Sequence, residues 1–204
     1  MARYRTSRGL SKRIRIFIFS DGKTEINYFD LKKKDLPRNR NLSVELIPTN
    51  IKSAVKSVNY IKRYFSRNDY GLNQNDRVFC VFDMDTADNE DLRRAITKMP
   101  GYMHLIISNP DFEFWFLLHY EYYQERLANR EPIEKLRKHE RAYEKPNVIE
   151  IYSSLKEKEA FAIQNAQRLS FYHTRIGHDL YSTAANPFTN VDEAISFINN
   201  HCQT

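Results

Sequence analysis

Two carboxylates in one short stretch, Asp83 and Asp85 of Phe82-Asp83-Met84-Asp85, directly follow the apolar run VFCVF. Side chains alternate along an extended chain, so the two acids point the same way. Ligands of open parallel sheets bind beyond the carboxyl ends of the strands, where this pair falls. Two neighbouring carboxylates repel, and a hard divalent cation with oxygen ligands relieves that repulsion. The plainer alternative is a polar strand end at which Asp85 or Asp88 caps the following helix.

The first apolar run ends in a similar way, at Ser20-Asp21-Gly22-Lys23-Thr24-Glu25. A helix starting near Lys23 puts Asp21 just before it and Glu25 in its first turn, both able to face the crevice of Asp83 and Asp85. Capping by Asp21 or Thr24, or attraction of an acid to the helix dipole, explains one of these groups but not two strand ends rich in carboxylates. A third run, HLIIS, leads into Ser108-Asn109-Pro110-Asp111-Phe112-Glu113, where Asp111 or Asn109 is a candidate cap. Glu113 stands in the apolar segment FEFWFLLHY and, if buried, requires a basic residue or a metal-bound water. His119 in the same segment reads as an internally satisfied helix histidine. Gly22-Lys23-Thr24 is the only fragment like a phosphate loop, and Phe17 occupies the position of that motif's first glycine, which excludes it.

The elements that must position these groups follow from periodicity. Ile14 to Phe19, Leu42 to Ile47, Arg77 to Phe82 and His104 to Ile107 read as strands. Helical spacing is expected after Thr24 as far as Leu36, over 53–65 and over 90–98, with a long aromatic helix from Phe112 to Tyr123. Strand and helix alternate four times, the pattern of a mostly parallel sheet with helices on both faces. Beyond residue 124 the chain becomes highly charged and contains Pro132 and Pro146, so an α/β core (1–123) with a basic N-terminal tail is expected to carry a helical C-terminal extension (124–204). Within it, 159–170 and 190–200 have helical periodicity, and Asn186-Pro187 marks a turn.

The 204 residues, 41% of them apolar, suffice for one substantial core. Five glycines are too few for a glycine-rich nucleotide cradle, and most of the 13 Tyr and 13 Phe must be buried. Cys80 and Cys202 form no CxxC or Cys/His cluster, which argues against structural zinc. No apolar run approaches the roughly 18 residues of a membrane span, so a cytoplasmic protein is the default expectation. The net charge is +6. Arg3, Arg5, Arg8, Lys12, Arg13 and Arg15 crowd the first 20 residues without an acid, and Lys32, Lys33 and Lys34 form a second cluster. Either is a solvated basic segment or a phosphate-contacting surface.

The ordered set SDGKTEINYF, VFDMD and SNPDFEFWFLLHY, with YEK at 143–145, AIQNAQRL at 162–169 and NPFTNV at 186–191, resembles the RloB-like family of prokaryotic defence-associated proteins. The resemblance implies a Toprim-like fold, shared with topoisomerase and primase catalytic domains and OLD-type nucleases. There, an acid after the first strand and a DxD after a later one bind Mg²⁺. Carried over by motif, Asp21 stands where an EGxTE-like motif has glutamate and is one methylene shorter. Glu25 is its second acid, and Asp83 and Asp85 are the DxD pair. Glu113 matches a FELW-like segment of the family. Metal-assisted phosphodiester cleavage of DNA or RNA is the implied activity, with Mg²⁺ or Mn²⁺ as cofactor and an ATPase as partner in an anti-phage, abortive-infection type of defence. Asp21, Glu25, Asp83 and Asp85 are the expected metal ligands, and Lys145, ahead of Lys23, is the expected cation for charge developing on the phosphate. The competing expectation is a non-catalytic subunit that grips nucleic acid or a protein partner with a degenerate site. Neither reading fixes the oligomeric state.

Overall fold

Side-chain parity in the first strand divides the molecule into two cores. Ile16 and Ile18 enter one and Phe17 and Phe19 the other, all within 1% of full burial. The computed structural model describes residues 13–37, 41–68, 71–84 and 88–202. In chain order the elements are β1 (Ile14–Ser20), α1 (Lys23–Lys34), β2 (Leu42–Pro48), α2 (Ala54–Arg67), β3 (Arg77–Asp83), α3 (Asn89–Lys98) and β4 (Met103–Asn109). They continue with α4 (Glu113–Leu117), α5 (Glu131–His139), α6 (Ile149–Glu157), α7 (Glu159–Arg175), β5 (Phe188–Thr189) and α8 (Val191–Cys202). The sheet order is β2-β1-β3-β4-β5, in which only β5 is antiparallel to its neighbour.

Helices cover both faces, as the alternation of elements predicts. α2 and α3 close the Phe17/Phe19 side through Val58, Ile61, Phe65, Leu92 and Ala95. The opposite side receives α1, α4 and the C-terminal helices through Tyr28, Phe116, Ile151, Leu169 and Ile195. Each fully buried side chain of this kind contributes roughly 1.5–3 kcal/mol relative to exposure. Cys80 lies in the first of these cores as a small apolar group, 2% exposed. Two helix starts follow from side-chain caps: Ser53 accepts from Lys56 N, and Asp88 accepts from Glu90 N.

The aromatic helix expected from Phe112 to Tyr123 is not formed; α4 ends at Leu117. The carbonyls that would extend it are engaged by side chains. Asn165 Nδ2 donates to Leu118 O at 2.8 Å, and His119 Nδ1 bonds Trp115 O at 2.9 Å, while His119 N turns to Phe116 O. Phe112, Phe114, Trp115, Phe116 and Leu118 are all fully buried, so the segment has no solvent face on which to run as an amphipathic helix. β5 is an addition to the expected elements. Its two residues pair Ser108 with Thr189 and Asn109 with Phe188, drawing the C-terminal segment onto the sheet edge.

No helix among the described residues is long and apolar enough to cross a membrane. Arg3, Arg5, Arg8 and Lys12 lie outside the described residues. Arg15 is engaged by Asp76 at 2.6 Å, and Lys32 is 8% exposed and bound to Glu159 at 2.6 Å, tying α1 to α7. Lys34 pairs with Asp30. The basic cluster of α1 is thus partly internal structure.

Candidate active site

Three strand ends deliver the acids to one edge of the sheet. β1 stops at Ser20, whose hydroxyl accepts from Gly22 N at 3.1 Å. Gly22 precedes α1 without a side-chain cap, and its ordinary φ of −85° gives no conformational reason for glycine. Space does: a Cβ here would collide with the carboxylate of Glu25, which folds back over the helix N-terminus. Glu25 is 2% exposed. Burial pushes its pKa up to about 7; its own backbone N–H acts against this, and Glu113 adds to it.

Asp83 ends β3. It shares the parity of Phe79 and Val81 and so faces the side covered by α1 and α4. Its Oδ1 is buried and has no hydrogen-bond partner among the described residues. Burial, followed by the charges of Glu25, Glu113 and Asp111, holds its pKa well above the carboxylate range.

β4 leads to Asp111 and Glu113. Asp111 accepts from Arg130 N at 3.3 Å, and its Oδ1 is also buried with no partner among the described residues. Burial and then Glu113 push its pKa to about 7. Glu113 is fully buried and receives three donors: Tyr143 Oη at 2.9 Å and Thr24 Oγ1 at 3.3 Å on Oε1, and Lys145 Nζ at 3.0 Å on Oε2. The basic partner that Glu113 requires in its apolar run is therefore Lys145. Burial lowers the pKa of this lysine, but the charge and hydrogen bond of Glu113 outweigh that and hold it above the usual value.

Lys145 arrives on the loop between α5 and α6. That loop folds on itself through Asn147 N to Glu144 O, 2.7 Å, and is tied to α1 by Asn27 Nδ2 to Pro146 O, 2.9 Å. The Tyr28 ring holds α1 edge-on against the α4 segment, 5.7 Å from Phe112, and Phe112 and Phe116 pack edge-to-face at 5.4 Å within that segment. Such pairs contribute about 0.5–1.5 kcal/mol each beyond their burial.

The structure thus brings Glu25, Asp83 and Lys145 together. Asp21 is half-buried, and its charge reaches Glu25 and Cys80. Asp85 lies outside the described residues. Lys23 is exposed. Asp111 enters as a fourth carboxylate, whereas its sequence suggests only a cap. Thr24, expected only as a cap, and Tyr143, two residues before Lys145 in the YEK motif, are unanticipated as donors to Glu113. Asn109 is no cap: its amide bonds Ala185 O at 2.6 Å and accepts from Asn186 at 3.1 Å. His119 is satisfied internally at Nδ1, and burial lowers its pKa to about 4, so it is neutral.

Among the described residues no three His, Cys, Asp or Glu side chains form a ready-made metal-holding group. The orphaned buried oxygens of Asp83 and Asp111 nonetheless have the character that a hard cation satisfies.

A family profile described as RloB-like protein matches residues 16–198. The chain belongs to the RloB-like family. The match runs from β1 into α8, so every acid of the cluster, Tyr143 and Lys145 lie inside the RloB-like region. No curated protein and no solved structure matches the chain.

Proposed function

We propose that this RloB-like protein is a metal-dependent nuclease that hydrolyses phosphodiester bonds of DNA or RNA. The observation that carries the reading is the pair of buried oxygens on Asp83 and Asp111 that have no partner among the described residues, set among the charges of Glu25, Glu113 and Lys145. Burying several carboxylates together without compensation is costly, and a fold that does so has a site for positive charge. Glu25 and Asp83 would hold Mg²⁺ or Mn²⁺, joined by Asp85 and, at the β1 end, Asp21. When bound, such an ion polarises a phosphate oxygen and lowers the pKa of coordinated water.

The remaining chemistry belongs to the chain. Lys145 is 45% exposed at its side chain and reaches outward from the buried Glu113, so its ammonium can meet a phosphate at the mouth of the site. Glu113 is a positioning residue, held by Tyr143 and Thr24, that fixes where the ammonium sits. Without a metal, burial holds the pKa of Glu25 at about 7, so a proton and a cation compete for its carboxylate near neutral pH. A role in anti-phage defence beside an ATPase partner belongs to the same proposal and rests on the family resemblance.

The test is incubation of the protein with plasmid, single-stranded DNA and tRNA in Mg²⁺ or Mn²⁺, and in parallel in EDTA. Cleavage that needs the metal and disappears in Asp83→Ala and Asp85→Ala is the expected result. Cleavage surviving both substitutions would rule the site out. A second reading, a binding subunit with a degenerate centre, draws on Asp21, one methylene shorter than the glutamate of the EGxTE-like motif. Salt-sensitive binding of nucleic acid with no turnover, even beside a co-expressed ATPase, would favour it.

A further inference from the structure

Residues 46–68 contain Lys52, Lys56, Lys62, Arg63 and Arg67 and not one acid. Most of this stretch is α2, whose inner face packs on β1 through Val58, Ile61 and Phe65. Lys56, Lys62, Arg63 and Arg67 are exposed on its outer side, and Lys52 is exposed just before it. Two adjoining grooves lie there, sharing Arg63. One, of about 410 Å³, is lined by Lys56, Asn59, Lys62 and Arg63. The other, of about 470 Å³, is lined by Tyr60, Arg63, Tyr64, Arg67 and Asn68.

Lys56, Tyr60, Arg63 and Arg67 recur at i, i+4, i+7 and i+11, which places them in one stripe along the helix, roughly 16 Å from end to end. Tyr60 and Tyr64 are half-buried and lean edge-on against Phe19, at 6.4 and 5.2 Å, so their exposed parts are rigidly presented. The helix N-terminus is not the attraction, because Asp91 already accepts from Ser53 Oγ at 2.8 Å and Ala54 N at 2.6 Å. The stripe begins at the functional edge of the sheet: α2 follows β2, whose last residue, Pro48, is in register with Ser20 of β1.

We propose that the outer face of α2 is a track for single-stranded nucleic acid, leading away from the acidic edge over the back of β1. This rests on the nuclease reading for its purpose, and the chemistry of the groove supplies the rest. Cations about one helical turn or two apart meet successive phosphates. Fixed tyrosines between them offer stacking surfaces to unpaired bases, which a duplex keeps inside its own stack. The track also compensates the acidic edge, which by itself repels a phosphate chain.

Fluorescence anisotropy in EDTA, with a labelled thymidine strand of about 20 nucleotides and the corresponding duplex, tests binding apart from cleavage. Arg63→Glu/Arg67→Glu should weaken the single strand tenfold or more and lower the salt slope by roughly 1.4. Tyr60→Leu/Tyr64→Leu, which keeps the apolar packing, should weaken the strand severalfold and the duplex little. Lys138→Glu/Arg141→Glu, an equal charge change on exposed residues around α5, should cost less than threefold. Equal losses in the two charge-reversed proteins, or a duplex bound as tightly as the strand, would overturn the track. If Asp83→Ala binds the strand normally and the wild type never cleaves it, the nuclease reading fails and the track stands. If cleavage requires Asp83 but the α2 variants bind like the wild type, the track fails and the nuclease stands.

Discussion

Lys145 Nζ lies 3.0 Å from Glu113 Oε2 across 32 positions of sequence, one partner 45% exposed and the other fully buried. The asymmetry of burial makes the two halves of the pair unequal. In Lys145→Met the carboxylate of Glu113 stays buried with only Tyr143 and Thr24 as donors, which should destabilise the protein by about 1–2 kcal/mol. This is below the roughly 3–5 kcal/mol of a fully enclosed pair because water can reach the vacated position. In Glu113→Gln the lysine turns to solvent and Tyr143 keeps an acceptor, so the loss should be smaller. Urea unfolding of the two variants decides the order; a larger loss in Glu113→Gln would show that the ammonium is not what compensates the buried acid. Both should lose cleavage, Lys145→Met by about 10²-fold or more.

Gly22→Ala isolates the placement of Glu25. The added methyl meets the far end of a flexible side chain, not backbone, at a φ that any residue adopts. The fold should therefore change by less than about 1 kcal/mol, while the carboxylate is forced off its present position. The Mg²⁺ concentration for half-maximal cleavage should rise about tenfold, equivalent to roughly 1.4 kcal/mol. A variant with unaltered metal dependence would show that Glu25 does not act from this position.

The strand ends and their acids are legible in the sequence because strands buried on both faces read as unbroken apolar runs, and the polar residues that follow stand out. The same runs fix the parity that sends Asp83 toward α1 and α4. What escapes the sequence is set by distant partners. Nothing near Leu118 announces that Asn165 will take its carbonyl, so α4 reads as longer than it is. Two residues of β5 carry no strand signal of their own and exist through pairing with Ser108 and Asn109. Lys32 reads as one of three surface lysines and becomes a buried partner only because Glu159 of α7 packs over it. Glu113 shows the middle case: its need for a cation is local, but the choice of Lys145 depends on a loop that α1 anchors from outside.

The Lys32–Glu159 pair should matter for stability in its own right. Lys32→Met keeps the apolar stem but removes the ammonium, leaving Glu159 with Asn199 Nδ2 at 2.8 Å. A loss of about 2 kcal/mol is expected, with Glu159→Gln costing about half of that because the amide oxygen still accepts from Lys32. A double-mutant cycle in urea should return a coupling above about 1 kcal/mol. A coupling near zero would make the contact incidental to how α1, and with it Glu25, is held.

The raised carboxylates fix the direction of the pH dependence. Glu25 and Asp111 titrate near 7 in the folded protein and near 4 when unfolded, and Asp83 is shifted the same way. Between those limits the folded state holds more protons than the unfolded one, so stability falls as pH rises from about 4 through about 7. In metal-free protein the melting temperature should drop over that window. Asp192, raised to about 7 by burial and Glu193, contributes with the same sign from α8, so the assignment needs a difference. Asp83→Asn should flatten the fall in part and raise stability at pH 8, because an amide escapes the charge repulsion at the acidic edge. Mg²⁺ should raise the melting temperature of the wild type more at pH 8 than at pH 5, since protons and metal compete for the same oxygens, and should do little for Asp83→Asn. A Mg²⁺ effect of equal size at both pH values and in both proteins would place the ion elsewhere on the surface.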